Sequence, residues 1–278
     1  MWIWTRAASA KWEDVWHERL LHVGRERLVS WRVASSRMIK LQAYLDTQAQ
    51  AKALQRTFGG TIRKFDRAWK PDGSPPKTPL SIRGKLLIYA NRETFEQTRK
   101  ASDRKQRLYV PAELAFGTGE HATTATCLRW IIDLIPELPR KWSMLDAGTG
   151  SGILALAAAR FGADPILGFD FDPTAVRIAR RNARENRLAK QVTFERQDVT
   201  NWTPPRKFDL VCANIYGDIL IASAKTIRRA VASPGYLLLS GMLNTQAPDC
   251  IAALQKAGLT EVSRRTRGKW TTALLHNS

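Results

Sequence analysis

Asp146, Gly148, Gly150, Gly152, Asp170 and Asp172 have the types and spacing to hold a nucleotide. The first four lie in the stretch 143–163, SMLDAGTGSGILALAAARFGA. This predicts a short buried strand around Met144 and Leu145, a turn, and an Ala/Leu-rich helix from about Ile153 to Arg160. Glycines on alternate positions let the backbone approach a ligand closely and leave N–H groups pointing outward. The helix N-terminus behind them favours an anionic group such as a carboxylate or phosphate. A second strand, PILGFDFD, then ends in Asp170 and Asp172. An acid about 20 residues beyond a glycine turn is where an α/β nucleotide fold grips a ribose. The dinucleotide form G-x-G-x-x-G is absent, and so is the phosphate loop G-x-x-x-x-G-K-[ST].

The form D-x-G-x-G-x-G, starting at Asp146, resembles motif I of the class I S-adenosylmethionine-dependent methyltransferases. A nicotinamide or other nucleotide domain of the same architecture is the alternative. A second loop lies upstream at 116–124, Phe-Gly-Thr-Gly-Glu-His-Ala-Thr-Thr, feeding a helix that starts near the threonines. Threonines there can cap the helix and offer hydroxyls to a ligand. His121 alone reads more readily as a structural histidine than a catalytic one.

Together with Gly168-Phe-Asp170-Phe-Asp172-Pro173 and Ala213-Asn214-Ile215, these segments resemble the ribosomal protein L11 methyltransferase family (PrmA). The resemblance is carried by motifs in 114–278 and by pattern alone in the first 80 residues. It implies S-adenosyl-L-methionine as cofactor, held by Thr124, Gly148, Gly150, Asp170 and Asn214, with Asn214 also the catalytic residue that meets the acceptor. It further implies an N-methyltransferase acting on lysine or amino groups of ribosomal protein L11. Enzymes of this class acting on amide or base nitrogens often carry Asn-Pro-Pro-Tyr at that strand end; here Asn214-Ile215-Tyr216-Gly217 stands instead, which favours lysine or α-amino acceptors. Glu120, Ala122, Tyr216 and Gly217 depart from the family's commoner residues around the acceptor entrance. A same-scaffold enzyme acting on another protein or on RNA, and a non-catalytic cofactor-binding module on the ribosome, remain the alternatives. Asp198 is open between meeting the adenine amino group and serving as a cap or turn residue.

The elements that must position these residues follow from periodicity. MWIWTRA, an amphipathic helix with Trp12, Val15, Trp16 and Leu20 on one side, RLVSWRV (Val29, Trp31 and Val33 on one face), RMIKLQAYL, a helix ended by Gly59-Gly60, and Thr61–Asp66 give the order βαββαβ. That order is a small α+β ferredoxin-like domain, 1–66, expected to recognise substrate. Residues 67–111 are read as a linker and connecting segment, rich in proline at 67–82, with a strand at KLLIYA and a basic loop at 99–110. Residues 112–278 are read as the cofactor-binding domain, an α/β, Rossmann-like, seven-stranded doubly wound sheet.

The 278 residues carry a net charge of +19. Residues 1–111 hold 23 Lys/Arg against 10 Asp/Glu, and 112–278 hold 21 against 15. The basic N-terminal half points to ribosomal RNA, or to a protein seated on it, against the plainer reading of a generally basic proteome. Cys127, Cys212 and Cys250 have no metal-ligand spacing and read as core residues of a reduced, cytoplasmic protein. No metal, no secretory signal and no membrane span is expected.

Overall fold

The computed structural model describes residues 2–9, 16, 19–20, 23, 27–32, 38–64, 78–98, 105–111 and 121–278. The chain divides into two compact units, Met1–Asp72 and Gly73–Ser278.

In the first unit, β1 (Trp2–Ser9), β2 (Leu28–Arg32), β3 (Met38–Leu45) and β4 (Thr61–Lys64) form an antiparallel sheet in the order β2-β3-β1-β4. That is the ferredoxin-like order. α1 (Gln48–Phe58) opens on a capping box in which Thr47 and Gln50 satisfy each other's backbone N–H groups. It ends at Gly59, whose φ of 70° suits a residue without Cβ. Alternation along β3 buries Ile39, Leu41, Ala43 and Leu45 against Trp4, Trp16, Leu20 and Leu54. In β2 Leu28 is buried and Val29 is exposed. Trp12, Val15 and Val33 lie outside the described residues.

The second unit is built on a seven-stranded sheet. Its strands are β8 (Met144–Ala147), β9 (Ile166–Asp170), β10 (Val192–Arg196), β11 (Phe208–Asn214), β12 (Val231–Leu243), β13 (Thr260–Arg267) and β14 (Trp270–Asn277), in the order β10-β9-β8-β11-β12-β14-β13. The first five run parallel, and β14 is antiparallel to both its neighbours. Helices cover both faces, so the central strands β8 and β11 are buried on both sides and largely apolar, with Asp146 and Asp209 as the charged exceptions. Met144, Leu210 and Cys212 pack under α3 (Ala122–Leu134), α4 (Ile153–Arg160) and α5 (Pro173–Glu185). Leu145, Val211 and Ala213 pack under α6 (Gly217–Ala222), α7 (Ala224–Ala230) and α8 (Ala247–Lys256).

Much of the expected connecting segment folds with this second unit. β5 (Leu80–Ile82), β6 (Leu86–Tyr89) and β7 (Gln106–Tyr109) form a small sheet, with α2 (Arg92–Thr98) between the last two. Ile82, Leu86, Ile88, Leu108 and Val110 enter the same core as α3 and α4. The latter part of the basic stretch 99–110 is therefore a strand, with Leu108 and Val110 two residues apart both turned into the core. Asn186 fixes it in place: the Tyr109 N–H donates to Asn186 Oδ1 at 2.8 Å, and Asn186 Nδ2 donates back to the Tyr109 carbonyl at 2.7 Å.

Candidate active site at the strand ends

The parallel strands end together at Ala147, Asp170 and Asn214. Ligand crevices of open α/β sheets lie at such carboxyl ends, and here the first strand, β8, sits between β9 and β11.

The glycine turn holds itself shut. Gly148 N–H and Thr149 N–H both donate to the Phe169 carbonyl at 2.9 Å, Gly150 N–H donates to Asp170 Oδ2 at 3.0 Å, and Gly152 N–H donates to the Thr149 carbonyl at 2.8 Å. The expectation that these N–H groups point outward is therefore corrected: the loop spends them on its own closure. Gly148, Gly150 and Gly152 have φ of 73°, 54° and 81°, a region that side chains with a Cβ rarely enter. A Cβ on Gly148 would lie 2.2 Å from Ile215 Cγ2. Close approach at this glycine is thus made by the chain itself, by the residue after Asn214. Behind the turn, the buried Asn182 of α5 donates from Nδ2 to the Ser151 carbonyl at 2.9 Å.

The anion at the start of α4 is also supplied from within. Asp146 Oδ2 accepts from Thr149 Oγ1 at 2.6 Å and from the Ala155 N–H at 3.2 Å, so a carboxylate already caps that helix. Asp146 is buried, which pushes its carboxyl up to about 6, the two hydrogen bonds opposing and the Asp170 charge adding to the shift. Its Oδ1 has no hydrogen-bond partner among the described residues.

Asp170 is nearly buried, and burial raises its carboxyl above the ordinary range against hydrogen bonds from the Asp172 and Gly150 N–H groups. Asp172 N–H reaches Oδ1 at 3.1 Å. Each carboxylate oxygen keeps a lone pair beyond these bonds. The group is aimed by backbone, so it is held rigidly where a diol could be gripped.

Thr124 is buried in the first turn of α3, and its Oγ1 has no partner among the described residues. One turn on, Cys127 lies beside Ser240 and Asp146, with burial pushing its thiol up to about 12. Ser240 is level with Asn214 in the sheet. His121, the residue before α3, bonds through Nδ1 to Thr123 Oγ1 at 2.7 Å and packs edge-on against Trp270 at 5.3 Å. Burial, and next the Lys269 charge, lower its pKa, so it is neutral at pH 7. Trp270 opens the antiparallel β14, which places the start of α3 at the strands' carboxyl edge. Phe116 to Glu120 of the upstream loop lie outside the described residues.

Asn214 is half-buried at the end of β11, and its side-chain amide makes no hydrogen bond to any described residue. Its position is set by its neighbour: Ile215 N–H donates to the Ser240 carbonyl at 3.1 Å, and a Cβ on Gly241 would lie 2.4 Å from the Ile215 carbonyl oxygen. Tyr216 is exposed. Asp198 is exposed and bonded to the Thr200 N–H at 2.9 Å and Thr200 Oγ1 at 2.8 Å, which is its turn role. Cys127, Cys212 and Cys250 are free and buried. Among the described residues no cluster of His, Cys, Asp or Glu could hold a metal ion, and no helix is long and apolar enough to cross a membrane.

Asn182, Thr149 and the Gly148–Ile215–Gly241 packing were missed from the sequence. Asn182 falls within an arginine-rich helix where an amide reads as surface, and the glycine packing joins residues far apart in the chain.

The sheet order, with an antiparallel seventh strand inserted beside the fifth, is that of the class I S-adenosylmethionine-dependent methyltransferases. A family model for ribosomal protein L11 methyltransferase (PrmA) matches residues 8–277, and the chain belongs to that family. The ribosomal protein L11 methyltransferase of Brucella abortus (strain S19) is 40% identical over 167 residues, 58% of this chain and 57% of that protein. That of Chelativorans sp. (strain BNC1) is 41% identical over 170 residues, 59% and 57% of the two chains. The chain thus spans little more than half the length of these curated relatives. In fold it is similar to the crystal structure of a ribosomal protein L11 methylase from Lactobacillus delbrueckii subsp. bulgaricus, with a TM-score of 0.62 and 23% identity over 72% of this chain and 100% of the other.

Proposed function

We propose that this chain is an S-adenosyl-L-methionine-dependent methyltransferase that methylates lysine or amino groups of ribosomal protein L11. The observation that carries the reading is the juxtaposition at the strand ends of Asp170, rigidly presented, with an Asn214 amide that makes no hydrogen bond among the described residues. Family membership and the printed names of the relatives support the same substrate.

The residues present fit the cofactor. Thr124 Oγ1 and Asp146 Oδ1 are buried polar atoms without a partner among the described residues, and Asp170 retains acceptor capacity suited to ribose hydroxyls. Thr124, Gly148, Gly150, Asp170 and Asn214 would line its site. When bound, the cofactor supplies a methyl group on a sulfonium, already activated for transfer to nitrogen. The chain's own work is alignment and exclusion of water. Asn214 accepts a hydrogen bond from the incoming amine through its carbonyl, directing the nitrogen lone pair inward. Ile215, wedged between Gly148 and Gly241, keeps that carbonyl in place. A neutral amine is required, and an apolar site lowers a lysine pKa from its usual ~10.4. His121 is not needed as a base; it holds the start of α3 against Trp270.

The first unit reads the protein substrate in this account, and buried free thiols suit a reduced, cytoplasmic setting. Contact of the basic N-terminal half with ribosomal RNA belongs to the same reading, and methylation of RNA itself is the alternative that the net charge favours. Incubation with methyl-labelled cofactor and purified large ribosomal subunits tests the choice. Label running with protein supports the reading; label in RNA transfers it to the alternative.

A further inference from the structure

Beside Asn214 the apolar floor of the second unit carries two buried hydroxyls. Along β11, Leu210 and Cys212 face α3 to α5 while Val211 and Ala213 face α6 to α8, so alternation puts Asn214 on the α3 side. Its register partner on β12 is Ser240, two residues after the α3-facing Leu238. On β14, Thr272 lies two residues before the α3-facing Leu274. Asn214, Ser240 and Thr272 thus form a row across three adjacent strands. Ser240 Oγ and Thr272 Oγ1 are 2.7 Å apart, and both residues are buried.

A bulge brings the two hydroxyls together. Leu239 pairs with Ala273 and Met242 with Thr271, so Ser240 and Gly241 together stand opposite Thr272. Gly241 supplies the φ of 84° that this turn of the strand needs. Leu239 and Met242, three residues apart, consequently share the face under α6 to α8. Bulges recur beside active sites, where they re-aim a side chain. This one also sets the end of β11, because the Ser240 carbonyl takes the Ile215 N–H at 3.1 Å.

A buried hydroxyl is costly without a partner, and each of these has one proton to donate. Facing each other they are satisfied, and neither draws on the Asn214 amide, which bonds to no described residue. Neighbouring strands lie about 4.8 Å apart, so a Ser240 hydroxyl released from Thr272 reaches the Asn214 carbonyl by a change of rotamer. Cys127, also beside Ser240, offers only a weak sulfur acceptor. We propose that Thr272 is a positioning residue: it holds the Ser240 hydroxyl and so leaves the Asn214 amide to the incoming amine. This role rests on Asn214 being the acceptor-facing group of the proposed function.

The test reads the Asn214 side-chain amide by nuclear magnetic resonance in the full chain, isotope-labelled on asparagine, with the signal identified by its absence in Asn214→Ala. Methyl transfer to recombinant ribosomal protein L11 is measured alongside at saturating cofactor. Thr272→Val should shift that signal and lower kcat about tenfold, with KM for the protein substrate changed less. Thr272→Ser keeps the bond and should leave signal and kcat at wild-type values. Ser240→Ala with Thr272→Val removes the released hydroxyl and should return both toward wild type, although it carries the same valine. A packing role alone would leave the double variant no better than the single, and that result would overturn the assignment. So would an unmoved Asn214 signal in Thr272→Val, a readout taken without substrate that decides the role of Thr272 even where ribosomal protein L11 is not methylated.

Discussion

Ile215 occupies the space that a Cβ on Gly148 would need, with Ile215 Cγ2 only 2.2 Å from that point. The glycine turn and the end of β11 are therefore one packed unit, and neither can be altered alone. Gly148→Ala meets both this clash and a φ of 73°, and should destabilise by more than about 1 kcal/mol. Ile215→Ala removes the clash and leaves the backbone strain. Denaturant unfolding of the two single variants and the double should give a coupling of at least about 0.5 kcal/mol. Additive effects would show that the two segments are independent.

Asp146 gives the pH dependence of stability a definite sign. Its carboxyl stands at about 6 in the fold against 3.8 ordinarily, so between those values the folded chain holds a proton that the unfolded chain has lost. Its contribution is greatest below pH 4, declines as pH rises to about 6, and is worth about 3 kcal/mol in all. Asp146→Asn keeps an acceptor for Thr149 and Ala155 but cannot ionise. Wild type should therefore lose stability relative to this variant from pH 4 to 7; a constant difference would contradict the ionisation.

Asp170 tests the ribose assignment. Asp170→Asn should weaken cofactor binding by about 1.5–3 kcal/mol, since a charge-assisted acceptor is lost and one of the two backbone donors, Gly150 or Asp172, loses its partner. Calorimetric titration of a folded variant showing undiminished affinity would remove Asp170 from the site.

The boundary between the units can be checked by truncation. A chain of residues 73–278 keeps Ile82, Leu86, Ile88, Leu108 and Val110 in its core and retains the Asn186–Tyr109 pairing. It should unfold cooperatively. A chain of residues 112–278 loses that layer and should not; equal cooperativity of both would restore the whole of 67–111 as a connection.

The parts of the fold legible in the sequence were those where local pattern and burial coincide. The run Ile153–Arg160, the strand ending in Asp170 and the final pair about Gly268 fall where the residues put them. The turn was legible as glycines but not as bonds. That its N–H groups close on Phe169, Asp170 and Thr149 depends on a neighbouring strand about 20 residues away. β7 was hidden because arginine and lysine dominate its approach, although Leu108 and Val110 alternate inward. In β2, Leu28 and Val29 are equally apolar, and only the packing of α1 and the sheet decides which faces in.

The central claim is methyl transfer to an amino group of a protein by a site that presents Asn214 to the acceptor. Intact-mass and peptide mass spectrometry of recombinant ribosomal protein L11, incubated with the chain and S-adenosyl-L-methionine, measures it directly. Added methyl groups on lysine or α-amino nitrogen are expected, with transfer by Asn214→Ala lost even at saturating cofactor. Unmodified ribosomal protein L11, or undiminished transfer by Asn214→Ala, would contradict it.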